Sequence, residues 1–197
     1  MTAVEPQVDG RTARSARTRG LVLDAMLELI REGDLMPSAG RVAARAAIAP
    51  RTVYLHFADM ESLFIELGTR ELDRLLAMRD EVPPDLPQEE RIERFCASRA
   101  LLLEALLPVM RAARLRAHLS PAIQATWDTY VDVSDADVSS VFARELDPLP
   151  PAARARMMAA LFIAAGPAWE SLRRDRRLSV AECTACMQQT VTALLGS

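Results

Sequence analysis

The sequence has few of the residues that build metal centres and disulfide frameworks. It has two His and three Cys among 197 residues, and all 24 basic residues are Arg. Cys183 and Cys186 stand in a Cys-Thr-Ala-Cys segment, but no second Cys pair or paired His accompanies them, as a zinc site would require. We therefore expect core packing for these cysteines, with no metal and no cofactor.

Long apolar stretches and catalytic motifs are also missing. Every apolar run is interrupted by Arg, Asp or Glu before it reaches the roughly 18–20 residues of a membrane span. The seven glycines form no phosphate-binding loop, and the Glu-x-x-His pattern of di-iron bundles is absent, so we predict no enzyme activity. The first 20 residues are polar and carry four Arg, unlike a secretory leader, which predicts a cytoplasmic protein.

The residues that are present favour helices throughout. Half of the chain is apolar, 26% is charged and 5% is aromatic, as in soluble globular proteins. Apolar residues recur at helical spacing, and no segment alternates as a half-buried strand would. The sequence therefore predicts an all-α fold of about nine helices.

The N-terminal part reads as a disordered arm over residues 1–12 followed by short helices. Helix 1 is predicted over 17–31 and is stopped by Gly33. Ser38 is the expected N-cap of a short helix 2, and Pro50 suits the first turn of helix 3. Asp59 is the expected N-cap of a longer helix 4 that reaches about Asp80.

Prolines divide the remainder of the chain. Pro83, Pro84 and Pro87 end helix 4, and Pro108 and Pro121 mark further boundaries. The predicted helices that follow are 88–107, 108–118, 121–144, 152–174 and 179–195. We expect a small head over 13–60 and a larger helical body over 61–197.

The segment from Ser38 to Leu63 has the pattern of a helix-turn-helix. Its small apolar residues can set the crossing of two short helices that a three-residue turn joins, with the second helix exposed to a DNA major groove. The core side is expected to contain Ala43, Ala46, Ile48, Val53, Phe57 and Leu63. The outer face of helix 3 then carries Arg51, Thr52, Tyr54 and His56, whose donors suit phosphate and base-edge contacts.

The distribution of charge supports the same reading. Residues 1–57 carry an excess of +2 and residues 58–197 an excess of −5, so the first part is the one that suits phosphate. Arg41 and three arginines near the start of helix 1, Arg14, Arg17 and Arg19, are expected to add salt-sensitive attraction to DNA.

The run RVAARAAIAPRTVYLHFADMESLF resembles the N-terminal pattern of the tetracycline-repressor (TetR) family over residues 17–66. The resemblance implies a homodimeric helix-turn-helix regulator that pairs through its last two long helices. It places the DNA contacts at Ser38, Arg41, Arg51, Thr52, Tyr54 and His56. Two positions depart from the pattern, since Ala47 replaces the turn Gly and Met60 replaces a Lys that lies near a phosphate.

The body offers candidate ligand and dimer residues, with ordinary core packing as the alternative for each. Apolar side chains of the middle helices can line a small-molecule site; the candidates are Phe95, Leu103, Leu106, Met110 and Trp127. Small and soft side chains on the last helices can form a four-helix dimer interface; the candidates are Met158, Phe162, Ala165, Trp169, Gln189 and Ala193.

These features predict a sequence-specific DNA-binding transcriptional regulator. By the resemblance, it is a repressor that a small apolar ligand releases from a palindromic double-stranded operator. The alternative is a helical ligand-binding or protein-interaction module that has lost DNA binding. Met60 and the net charge of −3 motivate this alternative.

Overall fold

The protein is all-helical in the computed structural model, which describes residues 10–79, 81–117 and 120–196. Nine of the ten helices in this part have seven residues or more, and α7 is a single turn, which confirms the predicted fold class. The helices are α1 (Gly10–Arg31), α2 (Ala39–Arg45), α3 (Pro50–His56), α4 (Met60–Ala77), α5 (Gln88–Ala117), α6 (Pro121–Val141), α7 (Ala143–Leu146), α8 (Pro151–Ala164), α9 (Ala168–Arg174) and α10 (Val180–Leu195). None of the described helices is long and apolar enough to cross a membrane.

The chain forms two compact units. The first contains the described residues up to Arg70 together with Pro108–Ile123, and the second contains Glu71–Leu107 and the residues from Gln124 onwards. Helix α4 therefore begins in the first unit and ends in the second. The sequence had assigned the chain from residue 61 onwards to the body.

The first helix starts earlier than the sequence predicted. Gly10 already belongs to α1, although the prediction began at Arg17. Most of the predicted arm, residues 1–9, lies outside the described residues, as does Asp80, near which helix 4 was expected to end. The predicted end of the first helix at Arg31 agrees with the structure, and α4 ends at Ala77, three residues before its predicted end.

The predicted break at Pro108 is wrong, because α5 continues through this residue to Ala117. An internal proline removes one backbone hydrogen bond and costs about 3 kcal/mol. Leu106 and Val109, on either side of it, are both buried. We infer that burial of this apolar stripe outweighs the lost hydrogen bond.

Two helices predicted as continuous are each divided in the structure. The predicted helix 121–144 becomes α6 and α7, separated at Phe142, whose backbone is not helical. The predicted helix 152–174 becomes α8 and α9, with Gly166 and Pro167 between them. A proline cannot supply the N–H that would continue the helical ladder, which explains the second break.

A buried ion pair holds the second unit together around α7. Arg91 is 2% exposed and donates from Nη1 and Nη2 to the Glu145 carboxylate at 2.9 and 2.5 Å. Its remaining donors reach the carbonyls of Val141 (2.7 Å) and Leu86 (3.0 Å). These hydrogen bonds lower the pKa of Glu145. The guanidinium is therefore buried with its hydrogen-bonding groups engaged, as a buried charge requires.

The core of the first unit brings α1 to α4 together with parts of α5 and α6. At its centre are apolar residues of the predicted helix-turn-helix segment, of which Val42, Ala43, Val53 and Leu63 are fully buried. Ala46 and Ile48 are half-buried and pack against this cluster. The predicted core side of the helix-turn-helix is therefore confirmed.

Helices α1 and α2 end in the same hydrogen-bonded motif. After α1, the N–H groups of Gly33 and Asp34 donate to the carbonyls of Ile30 and Leu29 at 3.1 and 3.0 Å. After α2, the N–H groups of Ala47 and Ile48 donate to the Ala44 and Ala43 carbonyls at 3.2 and 3.0 Å. This is the Schellman arrangement, whose C′ residue takes a left-handed conformation.

The C′ residue differs at the two ends. Gly33 has φ = 100° and Ala47 has φ = 54°. Glycine adopts positive φ without steric cost, whereas the Cβ of an L-residue is too close to a carbonyl there, at a cost of about 1–2 kcal/mol. The turn between α2 and α3 therefore carries local strain that the first turn does not.

We predict that Ala47→Gly stabilises the protein. Relief of the positive-φ strain, less the added flexibility of glycine in the unfolded chain, should raise the free energy of unfolding by about 0.5–1 kcal/mol. Ala44→Gly is the matched control, because Ala44 is exposed and helical, so the same change should destabilise by a similar amount. Urea titration measures the change in the free energy of unfolding for each variant. If both variants are destabilised equally, the strain assigned to Ala47 is contradicted.

Candidate functional site

Helices α2 and α3 form a helix-turn-helix whose ends are fixed by local chemistry. Ser38 caps α2, since its Oγ accepts a hydrogen bond from the Arg41 N–H at 3.4 Å. Pro50 occupies the first turn of α3, where its missing N–H costs nothing. Both predicted starts are confirmed. Ser38 thus has a structural role beside the DNA contact that the sequence predicted.

The outer face of α3 carries exposed side chains of several kinds. Arg51 is exposed, and Tyr54 and Leu55 are 56% and 78% exposed. Thr52 and His56 are half-buried at the edges of this face. Because Val53 is buried beneath, Arg51, Tyr54 and Leu55 lie together at i, i+3 and i+4 spacing on the solvent side. Leu55 was not among the predicted contact residues, although the same periodicity places it on this face.

Arg19, which the sequence analysis places among the phosphate contacts, has a structural role within the first unit. Its Nε donates to Glu66 Oε1 at 2.6 Å, and its two terminal nitrogens donate to Glu66 Oε2 and to the His56 carbonyl. Its guanidinium also lies 4.3 Å from the centre of the Phe57 ring. These contacts join α1 to the end of α3 and to α4, and the hydrogen bond with Glu66 raises the pKa of Arg19.

Two further arginines of the head pair with acidic residues. Arg41 forms an ion pair with Asp34 at 2.6 Å and is largely exposed. Arg45 bridges Glu28 and Glu32 of α1 at 3.2 and 2.6 Å. These exposed pairs contribute little to stability, but they reduce the positive charge that the head presents.

Arg14 and Arg17 are exposed on the first half of α1. Arg14 donates from Nε to the Gly10 carbonyl at 3.0 Å, and α1 carries both residues on a regular helix. Together with Arg51, they are the predicted basic residues that have no acidic partner among the described contacts. Their exposure keeps them available to a phosphate backbone.

The start of α4 accounts for one departure from the family pattern. Asp59 caps this helix, as its Oδ1 accepts hydrogen bonds from the Ser62 N–H and hydroxyl, both at 2.7 Å, which lowers the pKa of Asp59. Met60 is half-buried and packs against the core of the first unit. The side chain that replaces the expected Lys therefore contributes apolar contact to the head.

The second unit contains a groove between the end of α4, the following loop and α5. Its volume is about 710 Å³, and Met78 and Leu101 on its walls are 69% and 74% exposed. The lining is mostly apolar, with some charged side chains: Leu75, Met78, Arg79, Glu81, Val82, Arg94, Ala97, Ser98, Leu101 and Leu102. A smaller cavity, which shares four of these residues, adds Phe95, Arg99 and Asp137.

The structure separates the five predicted ligand residues. Phe95 lines the smaller cavity, where its ring packs edge-on against Phe142 at 5.2 Å between centroids. Leu103 and Leu106 are buried in the core of the second unit, which favours the core-packing alternative for both. Trp127 is half-buried and packs against Tyr130. Met110 is half-buried and belongs to the first unit.

The last helices of the second unit leave an open apolar surface. It has a concave part of about 610 Å³ between α8, α9 and α10. Ile163, at 54% exposed, lies on it together with Ala159, Cys186 and Leu194. We call these residues and their neighbours the α8–α10 surface.

The predicted dimer residues divide into two groups. Gln189 and Ala193 are exposed, and Met158 and Phe162 are half-buried. Ala165 and Trp169 are a correction, because both are buried within their own chain and offer no side-chain surface to a partner. Trp169 donates from Nε1 to Glu104 at 2.7 Å, and Arg173 binds the same carboxylate.

Comparison with solved structures places this geometry in a known class of fold. A transcriptional regulator from Rhodococcus sp. RHA1 is similar with a TM-score of 0.72 at 18% identity, covering 92% of this chain and 96% of that one. A protein assigned to the TetR family of transcriptional regulators from Mesorhizobium loti has a TM-score of 0.67 at 21% identity, covering 93% and 97%. The multidrug-binding protein EbrR, in complex with imidazole, has a TM-score of 0.59 at 14% identity, covering 87% and 93%.

The similarity is one of structure. No family model matches the sequence, and no curated protein matches it at a significant level. An all-helical chain with an N-terminal helix-turn-helix and a larger helical unit is the class that the coordinates define. Within that class, the chain has the fold of TetR-family transcriptional regulators.

We predict that substitution of Arg19 lowers the free energy of unfolding and that substitution of Arg17 does not. Arg19→Met removes the hydrogen bonds to Glu66 and His56, so the free energy of unfolding should fall by about 1 kcal/mol, a value reduced for solvent exposure. Arg17→Met removes the same charge from an exposed site and should leave stability unchanged. Thermal and urea unfolding measure this difference, and equal stability of the two variants would contradict the structural role of Arg19.

Proposed function

We propose that the protein is a sequence-specific DNA-binding transcriptional regulator. The observation that carries the proposal is the exposed face of α3, where Arg51 and Tyr54 project from a short helix fixed on a buried core. An arginine can donate two hydrogen bonds to guanine or bind a phosphate, and a tyrosine hydroxyl suits phosphate contact. The shared fold of the regulators from Rhodococcus and Mesorhizobium supports this use of α3.

We propose that the DNA-contacting residues extend beyond α3. Ser38 and Arg41 at the start of α2 and Thr52 and His56 at the edges of α3 are candidates, as the family resemblance implies. Arg14 and Arg17 would add phosphate contacts from α1. Such contacts position a protein on DNA and make binding depend on salt.

The active form is proposed to be a homodimer that pairs through the α8–α10 surface. Exposed Ile163 and the small side chains around it would let two copies approach closely in a four-helix arrangement. Two copies of α3 can then read a palindromic operator, which gives the specificity that one short helix lacks. The second copy of the chain would also bury apolar surface that is exposed to water in a single chain.

The regulation is proposed to be repression relieved by a small, largely apolar ligand in the second unit. A ligand that prefers one spacing of the two α3 helices would lower operator affinity by the ratio of its affinities for the two states. Helix α4 is the proposed lever, because it starts in the first unit and ends at the groove wall. A ligand that binds the groove and leaves operator affinity unchanged would contradict this mechanism.

We predict that Arg51→Ala and Tyr54→Ala each weaken DNA binding at least ten-fold. The first removes a charged donor and the second a large contact from the exposed face of α3. Duplexes selected from a random library by the full-length protein supply the probe, and fluorescence anisotropy over a salt series gives the affinity. If Arg51 binds phosphate in both subunits, its loss also lowers the salt slope by about 2.

The control for this experiment is Arg174→Ala, which removes an equal charge from an exposed site on α9. It should change the affinity less than two-fold. Unchanged binding by Arg51→Ala and Tyr54→Ala would exclude α3 as the DNA reader. Failure to select any sequence, with the wild-type protein folded, would favour the interaction-module alternative.

We predict that Ile163→Asp converts the dimer to a monomer. A carboxylate at the centre of an apolar interface would be desolvated without a partner, whereas in the monomer it stays in water. Leu101→Asp is the matched control, because Leu101 is more exposed but lies outside the α8–α10 surface. Sedimentation velocity should give one chain for the first variant and two for the second. A dimer in both variants would place the interface elsewhere.

A further inference from the structure

Leu55 is the most exposed large apolar side chain among the described residues. It is 78% exposed, and it lies one helical turn beyond Arg51 and directly after Tyr54 on the outer face of α3. Val53, on the opposite face of the same helix, is fully buried. The packing of the first unit therefore gives no reason for an apolar side chain at position 55. Single exposed leucines are ordinary on protein surfaces, so the significance of Leu55 depends on its neighbours.

The segment that contains Leu55 has no acidic residues. Residues 35–58, which include α2 and α3, have three Arg and no Asp or Glu. Arg51, on the same face as Leu55, is exposed and has no acidic partner among the described contacts. A phosphate backbone that approaches this face would meet no carboxylate from the segment itself. This charge distribution favours DNA as the partner that covers Leu55.

The DNA major groove offers one apolar group to such a side chain. Each base pair presents hydrogen-bond donors and acceptors there, and thymine adds its C5-methyl group. Leucine has no donor or acceptor in its side chain. Against cytosine or a purine edge it would therefore remove water from polar groups without replacing their hydrogen bonds. Against thymine it would bury a methyl group and part of its own apolar surface. Leu55 is thus suited to distinguish thymine from the other bases.

We propose that Leu55 contacts the C5-methyl group of a thymine in each operator half-site and makes that base pair part of the recognised sequence. The inference rests on the proposed function, because it names one base that α3 reads. Arg51 and Tyr54 supply polar contacts from the same face, and any phosphate contacts they make position the helix without reading sequence. Leu55 adds a contact whose free energy depends on the base.

The test removes the methyl group alone. A duplex selected from a random library by the full-length protein is resynthesised with deoxyuridine in place of each thymidine of the half-site in turn. This change keeps the base pair and deletes only its C5-methyl group. Fluorescence anisotropy then gives the affinity. At the thymine that Leu55 contacts, wild-type affinity should fall about four-fold when one half-site is changed and about fifteen-fold when both are changed, as the loss of one buried carbon predicts.

Two variants identify the side chain that senses the methyl group. Leu55→Ala should bind the thymidine and deoxyuridine duplexes with equal affinity, because the contact is absent from both complexes. Its fold should be retained, since Leu55 is exposed and alanine favours helices, and urea unfolding checks this. Leu115→Ala is the matched control, because it removes the same side chain from an exposed site on α5 in the first unit. It should keep the full difference between the two duplexes.

The contradicting outcomes separate this inference from the proposed function. If deoxyuridine changes wild-type affinity at no thymine, or if the selected half-site contains no thymine, the methyl contact is excluded and the DNA-binding function stands. If the difference between the duplexes persists in Leu55→Ala, another side chain contacts the methyl group and the role of Leu55 is excluded. If the folded wild-type protein selects no sequence, the proposed function fails and the contact fails with it.

Discussion

The position of α3 depends on the contacts of Arg19. One guanidinium donates to the last carbonyl of this helix, at His56, and to the carboxylate of Glu66 on α4, and it also lies over the Phe57 ring. A cation at a helix C-terminus satisfies a carbonyl that has no partner within the helix and interacts favourably with the helix dipole. Because α3 has seven residues, a shift at this end would move its whole exposed face.

The other end of α3 is fixed by the turn that follows α2. The Schellman hydrogen bonds from Ala47 and Ile48 set the direction of the chain, and half-buried Ile48 packs on the core. Ala47 accepts a left-handed conformation there, although Gly33 shows that the same motif can use glycine in this chain. The packing of Ile48 and Val53 thus outweighs the local strain, since apolar burial contributes about 1.5–3 kcal/mol for each large side chain.

The sequence predicted those parts of the fold that local chemistry determines. Ser38, Pro50 and Asp59 correctly marked the starts of three helices, because capping and first-turn preferences act within one turn of the chain. The exposure of Arg51 and Tyr54 followed from helical periodicity in the same way. The predicted break at Pro108 was wrong because the hydrogen bond that proline removes is a local effect. The burial of Leu106 and Val109, which offsets this loss, comes from tertiary packing.

The same distinction explains what the sequence could not predict about the sites. The partner of Arg19 lies 47 residues away at Glu66, and Arg79 and Arg99 both pair with Asp137, which α6 supplies. No local pattern encodes such pairs, so Arg19 was assigned to DNA and the groove was missed.

The ion pairs of the arginines in the head change how its positive charge is interpreted. Arg19, Arg41 and Arg45 are paired with carboxylates of the first unit. Among the described residues predicted to contact DNA, Arg14, Arg17 and Arg51 are the arginines without a carboxylate partner. The ion pairs of Arg19, Arg41 and Arg45 reduce the nonspecific attraction of the head for phosphate, so the proposed DNA binding would depend mainly on specific contacts of two α3 helices acting together.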